Sequence, residues 1–154
     1  VSSRTGRGLV IASAFLFAAG IASCGHHDPL APNVPPSLLE QAKTLKAPFG
    51  DARQASPEIV ADGKKLFQGK GSCYLCHGMN GKGDGPASHM HGMHAPSDFT
   101  NCKLHEVRTD GELFWVIDNG SPGTGMVDHV HDGNLKEIEA WKIVAYLRTL
   151  CEFR

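Results

Sequence analysis

Three observations on this 154-residue chain predict an all-α fold. Apolar residues recur at three- and four-residue spacing in segments that open on capping residues, as amphipathic helices require. No stretch alternates apolar and polar residues over a useful strand length. The run Cys73-Tyr74-Leu75-Cys76-His77 is a CxxCH box, the attachment signature of a covalent haem around which the helices would wrap.

That box carries its own chemistry. Two thiols at this spacing each form a thioether with one porphyrin vinyl group, and the adjacent histidine is then held under the iron as its proximal ligand. Half of a zinc site and a thioredoxin-like redox pair are the competing readings of the same spacing. Zinc needs a second ligand pair in register, and Cys24, Cys102 and Cys151 offer no second CxxC.

Taken in order, the elements begin with Arg4 and Arg7 ahead of an apolar run from Leu9 to Ala22. The run has signal-peptide length and falls short of the roughly 20 residues a spanning helix needs. Export is the expectation, with a retained, tilted membrane anchor as the alternative. Ile21-Ala22-Ser23-Cys24 resembles a bacterial lipobox, and the polar Gly25-His26-His27-Asp28 ends the run sharply. Residues 1–23 then form a lipoprotein signal peptide, and Cys24 carries the lipid. Several acyl chains at one site give durable anchoring, on the periplasmic side of a bacterial membrane.

Residues 24–55 read as a proline-rich tether, because Pro29, Pro32, Pro35, Pro36 and Pro48 preclude any long regular element. A flexible tether of this length averages on the order of 30 Å end to end, enough for a haem domain to swing between partners. Within it, Ser37-Leu38-Leu39-Glu40 has the form of a capping box opening a short helix to about Leu45.

The folded domain is expected over 56–154. Ser56-Pro57-Glu58 supplies an N-cap, a first-turn proline and an acid, and the helix it opens runs to about Phe67 with Ile59, Val60, Gly63, Leu66 and Phe67 on one stripe. From Gly78 to Pro96 the chain is too rich in glycine and proline for helix or strand, and a loop of that length suits the edge of a haem. Thr109-Asp110-Gly111-Glu112 is a capping box for a helix ending at Asn119, with Gly120 as C-cap. Asn134 is expected to open the last helix, whose broad apolar face includes Leu135, Ile138, Trp141, Val144 and Leu147.

Of five cysteines, one fits the lipobox and two the haem, leaving Cys102 and Cys151. In an exported protein such a pair is usually oxidised, and the expected bridge staples the end of the last helix to the loop beyond the haem box. Two unpaired buried thiols are the alternative.

From Ser56 to Leu150 the chain resembles the class I c-type cytochromes, with one haem. The resemblance rests on the helix before CxxCH, the run Cys76 to Pro86, Asp98-Phe99-Thr100, the loop Gly120-Ser121-Pro122-Gly123-Thr124-Gly125-Met126, and a closing helix with tryptophan and tyrosine. It implies that the first and last helices cross where Gly63 meets Tyr146, and that Met126 is the sixth iron ligand. A soft thioether stabilises ferrous iron and raises the potential. It also implies that the Pro96 carbonyl accepts a hydrogen bond from the His77 imidazole, with the Pro86 carbonyl as the alternative. His129 and His131, just past Met126, are the alternative sixth ligands, and Val127 stands where the family often has proline. Trp141 and Tyr146 are expected in the core rather than at the haem rim.

The resemblance implies an electron carrier rather than an enzyme. A saturated iron leaves no open position, and no nucleophile and base pair stands at recognisable spacing. Its expected partners are redox proteins: a quinol-oxidising complex, a terminal oxidase or a dehydrogenase, with this chain either a free carrier or a complex subunit. The alternative is a peroxidase-like haem enzyme or a gas sensor with a labile sixth ligand. A net charge of -1 and the lack of a basic tract give no case for nucleic acid. His89-Met90-His91-Gly92-Met93-His94 is dense in soft and borderline metal ligands, for which copper is conceivable, although such residues in an exposed loop are more often unligated.

Overall fold

The computed structural model describes residues 28–90 and 95–151. Cys24, the segment 1–23 and most of the His89 to His94 run lie outside them. Among the described residues there are six α-helices and no β-strand: α1 Leu39–Thr44, α2 Pro57–Gln68, α3 Tyr74–His77, α4 Cys102–Val107, α5 Asp110–Asn119 and α6 Glu137–Arg148, with a 3-10 turn at Ala52–Gln54. The fold is all-α, as the pattern of caps and stripes predicts.

Local chemistry sets the helix ends. In α2 the Ser56 hydroxyl accepts from the Ile59 N–H at 3.4 Å, and Pro57 occupies the first turn, where its missing N–H costs nothing. In α5 the capping box closes in both directions: Thr109 Oγ1 accepts from the Glu112 N–H at 3.2 Å, and the Glu112 carboxylate accepts from the Thr109 N–H at 2.8 Å. Two starts differ from expectation. At α1 the box at Ser37 does not form, because Glu40 pairs forward with Lys43 at 2.8 Å and Leu38 takes the N-cap position with no side-chain bond. At α6 the N-cap lies two residues later than expected. Asn134 is occupied elsewhere, its amide donating to the Lys70 carbonyl and its N–H to Asp132, so Lys136 becomes the N-cap and Glu139 accepts its N–H.

The main helix contact is α2 against α6. A Cβ on Gly63 would lie 1.9 Å from the Lys142 carbonyl oxygen and 3.0 Å from Tyr146 Cβ, so only glycine permits this backbone approach. Phe67 meets Tyr146 edge to face at 5.4 Å beside it, and Lys142 pairs with Asp62 at 2.8 Å. Helix α5 joins α6 through a parallel Phe114 and Trp141 stack, 4.1 Å between centroids. Trp141 is thus a core residue, its Nε1 buried without a protein partner.

The expected tether is corrected over its described part. Residues 28–55 lie packed on the helical domain, with Val34, Ala42, Ala47 and Ala52 buried. The Arg108 guanidinium donates to the carbonyls of Leu30 and Ala31, the Ser121 hydroxyl to the Asn33 carbonyl at 3.2 Å, and the Ala52 N–H to Asp110 at 3.1 Å. Gly111 of α5 lets α1 approach so closely that a Cβ there would sit 2.0 Å from the Ala42 carbonyl oxygen. Prolines prevent long elements here, as expected, but donors from the domain satisfy the irregular backbone, so it packs instead of swinging. The described part of this strap, residues 28–55, therefore packs on the helices that follow Ser56.

Cys102 and Cys151 are joined by a disulfide, with Cα atoms 5.2 Å apart. The bridge ties the first residue of α4 to the chain just past α6.

Candidate functional site

The haem box forms one helical turn. Cys73 caps α3, and the His77 N–H donates back to the Cys73 carbonyl at 2.9 Å, which brings Cys73, Cys76 and His77 onto a single turn. Gly78 follows at φ +75°, where a side chain would collide with Asp84. The loop then folds back over the box: the N–H groups of Gly83, Gly85 and Ala87 bond the carbonyls of His77, Cys76 and Leu75 at 2.9, 3.0 and 2.7 Å. These bonds satisfy the carbonyls that a helix end leaves open.

A cavity of about 600 Å³ opens beside this turn, within the size range of cofactor sites. Cys76, His77 and Met126 all face it, with Phe99, Leu113 and Ile117 among its apolar walls. Met126 is held by a closed loop: its N–H donates to Thr124 Oγ1 at 3.1 Å and its carbonyl accepts from the Ser121 N–H at 2.9 Å. His129 and His131 are not on the wall. His129 Nδ1 accepts from the Asn134 amide at 3.1 Å, and His131 is an exposed partner of Asp118 at 3.2 Å. Met79 and Met90 are solvent-exposed.

The chemistry of the donors suits a haem. His77 Nδ1 lies 3.1 Å from the Ser97 carbonyl oxygen and so carries the proton that it donates there. Burial holds the ring's pKa below the usual histidine value, so the imidazole is neutral and Nε2 presents its lone pair to a metal. Burial also pushes the Cys73 thiol up to about 12. That disfavours the thiolate that a zinc ligand or redox nucleophile needs, whereas a thioether is neutral and tolerates the environment. Cys73 Sγ sits 3.6 Å from the Gly71 carbonyl oxygen, and Cys73 is not part of the cavity wall. Ser88 faces the cavity with its buried hydroxyl unpartnered by protein, leaving a donor for a polar group of the occupant.

One sequence expectation is corrected at this point. The imidazole partner is Ser97, not Pro96. The Pro96 carbonyl is turned toward Gly83, where a Cβ would stand 2.5 Å from its oxygen, and the next carbonyl along reaches His77. Pro96 remains a cavity-wall residue.

Other wall residues escaped the sequence reading. Pro29, Asn33 and Val34 bring the strap to the cavity, and Arg108 and Glu112, a buried pair 3.7 Å apart, line it from α5 and the turn before it. Their four-residue spacing was a readable sign of pairing; its burial was not. Phe99 packs its ring on His77 with centroids 4.8 Å apart.

A CxxCH turn, a neutral imidazole and a thioether facing one cavity in an all-α domain define a c-type cytochrome. A family model described as cytochrome c matches residues 60–151, and the chain belongs to that family. Covalently bound haem c is the cofactor that membership of this family implies. No curated protein matches the chain. Among solved structures it is similar in fold to a chain of the Kuenenia stuttgartiensis reducing HAO-like protein complex, at 24% identity and a TM-score of 0.58. That match covers 71% of this chain and 49% of the other, so this chain spans about half the length of the one it matches.

Proposed function

We propose that this chain is a monohaem cytochrome of class I that passes single electrons between respiratory partners while anchored by lipid at Cys24 on the periplasmic side of a bacterial membrane. Cys73 and Cys76 would hold the haem, and His77 and Met126 would ligate its iron. The observation that carries the reading is that His77 and Met126 face the same cavity while neither His129 nor His131 lines it. When bound, haem supplies reversible one-electron chemistry at the iron. The chain's part is to orient His77 through the Ser97 carbonyl, to hold Met126 in its closed loop, and to surround the site with apolar walls that exclude water.

The packed strap changes how the anchor works. About four residues separate Cys24 from Asp28, a reach of at most about 14 Å, and Pro29 already lines the cavity. A lipid at Cys24 therefore holds the haem close to the bilayer. This favours a fixed subunit beside a membrane-bound redox partner, such as a quinol-oxidising complex, a terminal oxidase or a dehydrogenase, over a carrier that ranges between them.

Carbon monoxide separates carrier from enzyme or sensor. The carrier reading expects ferrous holoprotein to bind it poorly and to titrate reversibly with one electron. Ready binding, or peroxide turnover by the purified protein, would overturn the reading. Release of the Cys24→Ser variant from membranes into the soluble fraction is the expected result for the anchor; a variant still wholly membrane-bound contradicts it.

A further inference from the structure

Behind the haem site lies a buried chain of polar groups. Asp110 accepts from Arg148 Nε at 2.6 Å, and Arg148 donates at 3.2 Å to His105 Nδ1, at 3.1 Å to the His105 carbonyl and at 2.7 Å to the Arg108 carbonyl. His105 Nε2 lies 2.7 Å from the Phe99 carbonyl oxygen. The partners settle the tautomer. A guanidinium only donates, so Nδ1 is bare, and a carbonyl only accepts, so Nε2 carries the proton. His105 is 1% exposed, and burial lowers its pKa, in keeping with the neutral form.

The chain ends on the segment that touches His77 twice, through the Ser97 carbonyl and the Phe99 ring. Phe99 is fixed on both sides of its peptide frame: its N–H donates to the Gly81 carbonyl at 2.7 Å, and its carbonyl accepts from His105. An apolar residue at position 105 would fill the space but would leave the Phe99 carbonyl buried without this donor, which is costly enough to move the segment.

We propose that His105, braced by Arg148 and Asp110, is a positioning residue for the proximal imidazole: through Phe99 it fixes the ring packing and the Ser97 hydrogen bond on His77 and thereby sets the haem's reduction potential. A firm bond at Nδ1 makes the imidazole a more basic ligand and favours ferric iron. Loosening the segment weakens that bond and moves the potential upward. The inference rests on His77 being an axial ligand.

The test is redox titration of the holoprotein at pH 8, where His105 stays neutral. His105→Leu is expected to raise the potential by a threefold to tenfold change in the reduction equilibrium, the upper figure being about 59 mV for one electron. His105→Gln, whose side-chain amide keeps a donor, is expected to stay near wild type. Phe99→Leu should shift the potential in the same direction, and the double variant with His105→Leu should shift it by less than the two singles together. If His105→Leu yields no holoprotein, Arg148→Lys carries the test, since lysine keeps a charge for Asp110 but not the fork that reaches Nδ1. An unchanged potential in whichever of these two variants is titrated, or additive shifts with Phe99→Leu, overturns the inference. Failure of the underlying assignment looks different: His77→Ala would then leave the low-spin spectrum intact.

Discussion

Replacing Gly63 with alanine tests the helix crossing that supports the haem turn. An ideal Cβ at 63 lies 1.9 Å from the Lys142 carbonyl oxygen, which is backbone and cannot rotate aside. Relief requires α2 and α6 to separate by about 1 Å, in a region where Phe67 and Ile143 are each 1% exposed. Overpacking of this kind costs about 1–3 kcal/mol. A gap of that width also forfeits a quarter to a half of each dispersion well across the contact. Against this, alanine gains about 1 kcal/mol of helix propensity over glycine. The net expectation is a loss of about 2 kcal/mol, or a Tm about 8 °C lower for a domain of this size. The assay is thermal and denaturant unfolding of the holoprotein followed by helical circular dichroism, with Lys64→Ala, on the exposed face of α2, as the control expected within about 0.5 kcal/mol of wild type. A Gly63→Ala protein as stable as wild type would show that the helices do not meet backbone to backbone at this point.

Three further outcomes follow from the packing. Replacing Cys102 and Cys151 together by serine opens a loop of 49 residues, and the chain-entropy model puts the loss at about 4 kcal/mol; an unchanged denaturant midpoint would contradict it. Arg108→Met leaves the buried Glu112 carboxylate without its ion-pair partner and frees the Leu30 and Ala31 carbonyls, for an expected loss of about 3–5 kcal/mol and new protease cleavage in the strap, while adding Glu112→Gln, which removes the charge but keeps an oxygen for the Thr109 N–H, should recover part of the stability. Stability should also fall as pH falls through 6.5. Burial depresses the folded pKa of His105, so between that value and 6.5 the unfolded chain binds more protons, and acid favours unfolding. His105→Gln should reduce that slope, leaving the share of His129, whose pKa burial also lowers, whereas the part due to Asp62 and Glu139, whose pKa values Lys142 and the Lys136 N–H with Lys70 lower, is lost only in the carboxylate range.

What was legible in the sequence was what local chemistry decides. Ser56 with Pro57 and Thr109 with Glu112 act within one helical turn, so α2 and α5 could be placed from the chain alone, and the CxxCH spacing identifies its own cofactor. What depends on distant partners could not be read. The strap's prolines look like a linker until Arg108 and Ser121 are seen to bond its carbonyls. Ser97 replaces Pro96 because of where a carbonyl points, a property with no sequence signal. Helix α4 is six residues long with Asn101 as its cap, too short for periodicity to reveal, and its disulfide to Cys151 contributes to holding it. His105 and Arg148 read as ordinary helix residues, since nothing local shows that their burial will join them.

The central claim is that His77 and Met126 together ligate one haem. It is tested most directly by the far-red sulfur-to-iron charge-transfer band of the ferric holoprotein. Wild type should show this band with a low-spin spectrum. Met126→Ala should lose it, become high-spin or histidine-captured, and fall in potential, while His129→Ala should leave the spectrum nearly unchanged. A wild type without the band, whose spectrum changes on loss of His129, would exclude ligation by His77 and Met126.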